Sequence, residues 1–253
     1  MRFAAKIAYD GSLFSGWQKQ PKSTVNTVQE HVEKALVTLN GKATTAVAAG
    51  RTDKGVHALG QVISFDMVAP WEPGKLRNAL DANLPDSISV LRLSPVRGDF
   101  SARWSAQWRE YVYFTWKERG CFPHIAPFVW RNSTAWDRET LRKLCILLEG
   151  EHDFSAFCRK LDCPVDARRT VLAASVSGRG PLLRFRIRGE SFLTNMIRII
   201  MGSMDLVASG KRNIPWFEGL LQGGRRCDAG PTAPACGLFL ARVGYSPSPW
   251  NIS

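Results

Sequence analysis

Cysteine and histidine are scarce in this chain, six and four among 253 residues, and neither is spaced as a metal site requires. No two cysteines form a C-x2-C pair. The closest two, Cys158 and Cys163, have no matching Cys or His pair at zinc spacing. We therefore predict no metal site, and the cysteines fit free thiols in a reducing cytosol.

Long apolar runs are also missing. None approaches the ~18 residues that a membrane-spanning helix needs. The start, Met1–Ile7, lacks the apolar core of a signal peptide and is predicted to be a strand. These absences favour a cytoplasmic protein without a membrane partner.

Acidic residues are too few to balance the basic ones. The chain has 34 Lys+Arg against 22 Asp+Glu, a net charge of +12. Residues 1–100 carry 12 basic and 9 acidic residues, a net +3. Residues 101–253 carry 22 basic and 13 acidic residues, a net +9. Such a balance favours a polyanionic partner, nucleic acid or an anionic membrane. Without a spanning segment, nucleic acid is the better candidate.

The loop Ala49–Ala58 has the clearest chemical pattern in the chain. It places one carboxylate, Asp53, between glycines, with two cations and an imidazole within four residues. Apolar residues 46–49 precede it and an alternating run at 61–65 follows, so it is predicted to join two strands. Nearby positive charge lowers the pKa of an acid, which suits an ionised nucleophile or base. The alternative is an Asx-turn, in which Asp53 bonds its own backbone beside Gly55.

The segment Gly50–Ala58, followed by Gly60-Gln61-Val62, resembles the catalytic signature of the TruA-type tRNA pseudouridine synthases. Other blocks resemble this family in the same order and cover nearly the whole chain: Tyr9-Asp10-Gly11, Phe14–Gln18, Thr27-Val28-Gln29, Ala79–Pro85, Phe100–Arg103, Arg109–Tyr113, Gly150–Phe154, Phe192-Leu193, Met196-Ile197-Arg198 and Gly237–Leu240.

Periodicity predicts the element order β-α-β-β-α-β twice. In the first half we predict strands at 2–9, 44–49, 60–67 and 87–94, a helix from Thr27 to Gly41 after a Gly/Ser/Pro loop, and a helix at 73–83. In the second half we predict strands at 108–117, 169–177, 182–188 and 237–244, with helices starting near Asp137 and at 191–209 and 214–222.

The predicted fold class is therefore α+β, with two ferredoxin-like units. We place an N-terminal subdomain carrying the Asp loop at 1–100 and a more basic C-terminal subdomain at 101–253. Edge-to-edge joining would give one continuous antiparallel sheet, with helices on one face and a catalytic cleft on the other. The fold of the resembled family fits this arrangement.

Three arginines alternate with apolar residues on the strand at 182–188. Arg184, Arg186 and Arg188 lie on one face of it, and such a ladder suits contacts with phosphates. An ordinary solvated sheet face explains the pattern equally well.

The resemblance implies that Asp53 is the essential carboxylate and Arg198 its ion-pair partner. Arg198 lies in an otherwise apolar helix, where an unpaired charge would cost several kcal/mol on burial. A snorkelling arginine at the helix edge is the alternative. Whether Asp53 attacks C1′, attacks the uracil ring or removes a proton from the sugar stays open.

Three further side chains are implied to bind substrate. Tyr111 would stack on uracil, although a strand tyrosine is usually part of a core. Arg51 would fill the gap left by a flipped base or clamp its phosphate. Leu240 would form an apolar wall under the ring. His57 fits a loop-fixing hydrogen-bonder better than a catalyst, and segment 223–235 is predicted to be a loop or to face substrate.

The implied function is isomerisation of uridines 38–40 in the anticodon stem-loop of tRNA, without a cofactor, by a homodimer. Two rival functions remain. A tandem ferredoxin-like RNA chaperone would need the basic surface but not Asp53, Tyr111 and Arg198 together. A hydrolase using Asp53 and His57 would need a third orienting group, and none is evident in the sequence.

Overall fold

The protein is described by a computed structural model that covers residues 1–20 and 26–250. Its strands are β1 Arg2–Tyr9, β2 Val47–Ala48, β3 His57–Asp66, β4 Ile88–Pro95, β5 Ala106–Trp116, β6 Trp130–Arg131, β7 Gly150–Asp153, β8 Arg168–Arg179, β9 Leu182–Gly189 and β10 Leu238–Tyr245. Its α-helices are α1 Val28–Asn40, α2 Pro73–Ala82, α3 Arg138–Leu148, α4 Met196–Ala208 and α5 Ile214–Leu220.

The chain divides into two compact units. The first comprises Met1–Arg109 together with Phe239–Ser253, and the second comprises Glu110–Leu238. The predicted subdomains, 1–100 and 101–253, are each continuous in sequence, whereas the first unit also includes nearly all of the last strand. The assignment of functions to those subdomains stays a prediction.

The first unit follows the predicted order β-α-β-β-α-β, with β1 antiparallel to both β3 and β4. The Thr27 hydroxyl accepts the Glu30 N–H to begin α1, and Gly41 ends the helix with a left-handed φ of 69°. Both signals were predicted from the sequence. The Gly/Ser/Pro loop predicted before α1 includes residues 21–25, which lie outside the described residues.

Strand β3 has two partners along one edge. The short β2 is antiparallel to it at Ser64 and Ile63, and β10 is parallel to it at His57 and Ala58. The strand predicted at 44–49 is therefore too long. The N–H of Ala46 donates to the Glu33 carboxylate instead of a ladder carbonyl, so β2 begins only at residue 47. This short strand leaves the other end of β3 open for β10.

In the second unit, β9 is antiparallel to β8, and β8 is antiparallel to β7. Helix α4 is buried along most of its length, as its apolar sequence predicts. It begins at Met196, later than the predicted 191, because Asn195 adopts a left-handed φ of 62° that helical backbone excludes. The short strands β6 and β7 were not predicted; β7 is a polar four-residue segment without an alternating pattern.

The strands follow the order β4-β1-β3-β10-β5-β9-β8-β7, with β2 and β6 beside β3 and β5. This confirms the predicted α+β class and its single sheet. One detail differs: β10 is parallel to β3 and the short β6 is parallel to β5, so the sheet is mostly, not wholly, antiparallel. In the described part of the chain, no helix has the length and apolar character needed to cross a membrane.

Candidate active site

The Asp53 loop contains a tight turn that its own backbone closes. The carbonyl of Asp53 accepts the N–H of Val56 at 3.1 Å, and Gly55 supplies the positive φ of 78° that this turn needs. The backbone therefore forms a turn here, and the alternative of an Asx-turn, in which the Asp53 side chain bonds its own backbone, is not tested by this hydrogen bond. Asp53 is half-buried, while Arg51 and Lys54 are exposed.

Two glycines allow another segment to pack directly on this loop. A Cβ on Gly11 would lie 2.0 Å from the Val56 oxygen, and one on Gly16 would lie 2.9 Å from the Thr52 oxygen. The N–H of Trp17 also donates to the Thr52 oxygen at 3.1 Å. The two segments that contain Gly11 and Gly16 thus pack directly against the backbone of the Asp53 loop.

The residue before Asp53 is held by a buried side-chain hydrogen bond. The Tyr9 hydroxyl lies 2.7 Å from Oγ1 of Thr52. Burial raises the pKa of Tyr9 to about 12, although the hydrogen bond with Thr52 opposes that shift. The hydroxyl therefore keeps its proton at neutral pH and fixes Thr52 in place.

The start of the loop is fixed by two side chains, one from β5 and one from β3. Arg109 donates to the Ala49 oxygen through Nε at 3.1 Å and Nη2 at 2.9 Å, and also to the carbonyls of Ala106 and Arg103. Gln61 donates to the Gly50 oxygen at 2.6 Å. Both ends of the short path from Ala49 to Asp53 are thus held to the sheet, which is the preorganisation that a reactive group requires.

His57 has the environment of a structural histidine. It is only 1% exposed, its Nδ1 accepts the Gly11 N–H at 3.1 Å, and the same atom lies 3.1 Å from the Asp10 carboxylate. Its ring stacks on Phe239 with centroids 4.6 Å apart. This geometry fits the predicted loop-fixing role.

Leu240 lies beside the end of the loop. In the parallel pairing of β10 with β3 it is opposite Ala58, and its side chain is fully buried at 0% exposure. Its predicted role as an apolar wall under the uracil stays a prediction.

Tyr111, in the second unit, lies on β5 with its ring nearly buried. It meets Phe192 edge to face, with centroids 5.2 Å apart and planes at 82°. The ring therefore has a fixed orientation, which a stacking surface needs. Its contact with substrate stays a prediction.

The residue before Tyr111 organises two of the three arginines on β9. Glu110 is 4% exposed, and its Oε2 lies 2.8 Å from Nη2 of both Arg186 and Arg188. Burial alone would raise the pKa of Glu110, but these two hydrogen bonds outweigh it and hold the pKa below its usual range. Two of the three guanidinium groups of the predicted ladder therefore bind a carboxylate of the protein, and contact of the ladder with phosphates stays a prediction.

Arg198 is half-buried on the apolar helix α4. Its Nε donates to the Ala233 oxygen and its Nη1 to Oδ1 of Asn195, each at 2.8 Å. Both acceptors are uncharged, so they fix the guanidinium without neutralising it. Its pairing with Asp53 stays a prediction.

Segment 223–235 packs on α4 and determines how Arg198 is held. The N–H of Ala233 donates to the backbone oxygen of Arg198, and the N–H of Gly230 donates to the Ser203 hydroxyl. A Cβ on Gly202 would lie 1.8 Å from the Pro231 oxygen, so only glycine allows this approach. The segment is therefore at least in part a structural clamp on the arginine.

Sequence reasoning missed two residues of this site, Arg109 and Asn195. Arg109 stands in one of the resembling blocks, but nothing local shows that its partners are carbonyls far away in sequence. Asn195 precedes an apolar helix and so suggests an N-cap, yet its oxygen binds Arg198 instead. Its tolerance of left-handed backbone was the available signal.

The fold and the loop first define a class: an α+β enzyme with one loop carboxylate fixed by backbone packing, on a strongly basic scaffold. Comparison with known proteins gives the family. The family model for tRNA pseudouridine synthase matches residues 5–105 and 144–246, most of the chain. The chain belongs to the tRNA pseudouridine synthase family and is an isomerase.

Individual relatives agree over nearly full length. The tRNA pseudouridine synthase A of Geobacillus kaustophilus is 41% identical over 252 residues, covering 96% of this chain and 94% of the relative. That of Bordetella petrii is 37% identical over 257 residues, covering 97% and 92%.

Proposed function

We propose that this protein converts uridines 38–40 of the tRNA anticodon stem-loop to pseudouridine, with Asp53 as the essential carboxylate. The observation that carries the proposal is the fixation of the Asp53 loop by Gly11, Gly16, Tyr9 and Arg109 in a chain of this family. A loop held at this many points has its acid placed before substrate arrives.

The reaction is an isomerisation and its atoms balance without a co-reactant. The C1′–N1 bond of uridine breaks, the base turns, and a C5–C1′ bond forms. C5 loses its proton and N1 gains one. A base in a stem must first be flipped out of the stack, which costs a few kcal/mol.

Arg198 is proposed to keep Asp53 ionised. Its Nε and Nη1 are fixed by the neutral acceptors Ala233 and Asn195, and an opposite charge close to a carboxylate favours the ionised form. Fixation by two neutral acceptors also limits the rotation of the guanidinium plane.

The other predicted residues are proposed to bind the flipped nucleotide. Tyr111, oriented by Phe192, would stack on the uracil, and Leu240 would underlie it. The exposed Arg51, two residues from Asp53, would fill the vacated stack or bind its phosphate. We further propose that the enzyme works in the cytoplasm as a homodimer on tRNA.

The two rival functions lose support from the geometry of the first unit. A hydrolase with an Asp53–His57 acid–base pair would need an accessible imidazole, and His57 is 1% exposed. A chaperone without chemistry would have no use for a half-buried acid on a loop held so rigidly.

The test is in vitro modification. Purified protein is incubated with an unmodified tRNA transcript that has uridines at positions 38–40, and pseudouridine is mapped by its chemical adducts. We expect pseudouridine at one or more of these positions, and no pseudouridine in a transcript that carries cytidine at all three. Pseudouridine at other positions alone would contradict the proposed substrate position.

A further inference from the structure

Trp104 is exposed to an unusual degree for its size. The residue is 77% exposed, whereas most large aromatic residues of the described chain are buried or half-buried. Leaving so much apolar surface in water sacrifices the stabilisation that burying an aromatic side chain gives. A position of this kind therefore suggests a ligand.

The turn that carries Trp104 is rigid. The Ser101 N–H donates to the Ser105 hydroxyl, and the Trp104 N–H donates to the Ser101 hydroxyl. The Ala102 N–H donates to Ser64, and the Ala102 oxygen accepts the Tyr245 hydroxyl at 2.7 Å. The tryptophan therefore projects from a fixed backbone.

The same turn is tied to the start of the Asp53 loop. Nη2 of Arg109 donates to the Arg103 oxygen at 2.6 Å and to the Ala49 oxygen at 2.9 Å. One guanidinium thus sets the position of the Trp104 turn relative to the backbone that leads into the loop. A ligand of Trp104 would bind in fixed register with that backbone.

The neighbouring side chain supplies positive charge. The guanidinium carbon of Arg103 lies 4.5 Å from the centroid of the Trp104 ring, a cation–π arrangement that covers one face. An aromatic ring beside an exposed cation is the combination with which proteins bind single-stranded nucleic acid. The net charge of +12 attracts the same polyanion.

We propose that Arg103 and Trp104 form a second RNA contact of the enzyme. The indole stacks on an unpaired base of the tRNA outside the flipped target uridine, and Arg103 binds an adjacent phosphate. A second copy of the chain is a poorer occupant, because an exposed arginine beside the ring would meet an equally basic surface. This proposal rests on tRNA being the substrate.

The test measures tRNA affinity and single-turnover rate for Trp104→Ala, Trp104→Phe and the matched control Trp216→Ala. Trp216 also pairs with an arginine, Arg212, at 5.6 Å, but on α5. We expect Trp104→Ala to raise the Kd for tRNA roughly five- to a hundredfold, the loss of one stacked base. Trp104→Phe and the control should stay within a few fold. At saturating enzyme, the control Trp216→Ala should turn over near the wild-type rate.

Crosslinking locates the contact directly. Ultraviolet irradiation of the wild-type complex should join an unpaired nucleotide of the tRNA to the peptide containing Trp104. Wild-type affinity in Trp104→Ala, with pseudouridine still formed, would overturn the contact and leave the proposed function intact. If Trp104→Ala loses tRNA binding but the wild-type protein forms no pseudouridine, the proposed function is overturned instead. A change of sedimentation in Trp104→Ala, with unchanged tRNA affinity, would assign this face to a second copy and overturn the proposal.

Discussion

At the scale of single residues, the site depends on where charge is fixed. Asp53 is half-buried on a loop anchored at Ala49, Gly50 and Thr52, and Arg198 is fixed by two neutral oxygens. An acid and an arginine arranged in this way differ from surface charges, which move and are screened. Substitutions that change charge but not shape are therefore the informative ones.

Replacing Asp53 by asparagine should abolish isomerisation while tRNA affinity stays within a few fold. The amide has the shape of the acid, so the loop should keep its fold, but it has no charge with which to act. Single-turnover assays and filter binding on the same tRNA measure the two effects. Asp66→Asn, at the exposed far end of β3, is the control and should behave as wild type. Wild-type turnover by Asp53→Asn would refute the mechanism.

Arg198→Met should lower activity at neutral pH by raising the pKa of Asp53, since the neighbouring positive charge is lost. A raised pKa leaves more of the acid protonated, so activity should partly recover as pH increases. Arg198→Lys keeps the charge without the planar fork and should be intermediate. Rate against pH for the three proteins is the measurement. An equal loss at every pH would mean that Arg198 positions RNA or the fold.

At the scale of elements, the site depends on close backbone contacts that only glycine permits. Gly11, Gly16 and Gly202 each lie where a Cβ would meet a carbonyl oxygen of another segment. Each of these contacts joins segments distant in sequence, and Gly11 and Gly16 both stand in blocks that resemble the family.

Gly11→Ala should destabilise the first unit by about 1–3 kcal/mol and slow the reaction by roughly a hundredfold. The new methyl would lie 2.0 Å from the Val56 oxygen, so the Asp53 loop must shift. Urea denaturation and single-turnover rates test both effects. Gly98→Ala, where a Cβ meets nothing within 4 Å, is the matched control and should be neutral. If Gly11→Ala has the same stability and rate as Gly98→Ala, the Asp53 loop accommodates the methyl group and the close contact does not position Asp53.

Glu110→Gln should destabilise the protein by about 1–3 kcal/mol at neutral pH, less than for a fully buried pair because both arginines remain partly exposed. The pKa of Glu110 is lower in the folded state, so its contribution is present above the unfolded pKa of about 4.3 and is lost as pH falls through the folded pKa. The stability difference should therefore shrink in acid. Arg184→Gln, on the same strand, is the control; a difference that persists in acid would contradict the ionised pair.

The sequence predicts elements better than it predicts their partners. Period and caps located α1, from Thr27 to Gly41, because those signals are local. The strand at 44–49 was predicted too long, since Glu33 binds the Ala46 N–H from outside the segment. The left-handed Asn195, whose side-chain oxygen binds Arg198, was missed. Asp53 was found through its motif, whereas the bonds from Arg109 that hold its loop depend on tertiary structure.

At the scale of the whole molecule, the excess of positive charge is the property that a polyanionic substrate meets first. Part of it is neutralised internally, as the binding of Arg186 and Arg188 to Glu110 shows. Exposed cations such as Arg51 and Arg103 remain for a partner. Net charge therefore overstates the number of phosphate contacts.

Affinity for tRNA should accordingly fall steeply as salt increases, because each phosphate contact releases a counterion and steepens the log–log slope by roughly 0.9 on a duplex. The net charge is +12, but some arginines are paired with carboxylates of the protein. We therefore expect a log–log slope of several units that is well below twelve times that increment. Titrations of wild type and Arg103→Gln between low and physiological salt measure it. The log–log slope of Arg103→Gln should be shallower by roughly the increment of one phosphate contact. The slope of Arg186→Gln should change much less, because Arg186 already binds Glu110. A slope near zero in the wild type would mean that binding does not rest on phosphates, and equal slopes in both variants would mean that ion pairing within the fold does not decide which arginines bind RNA.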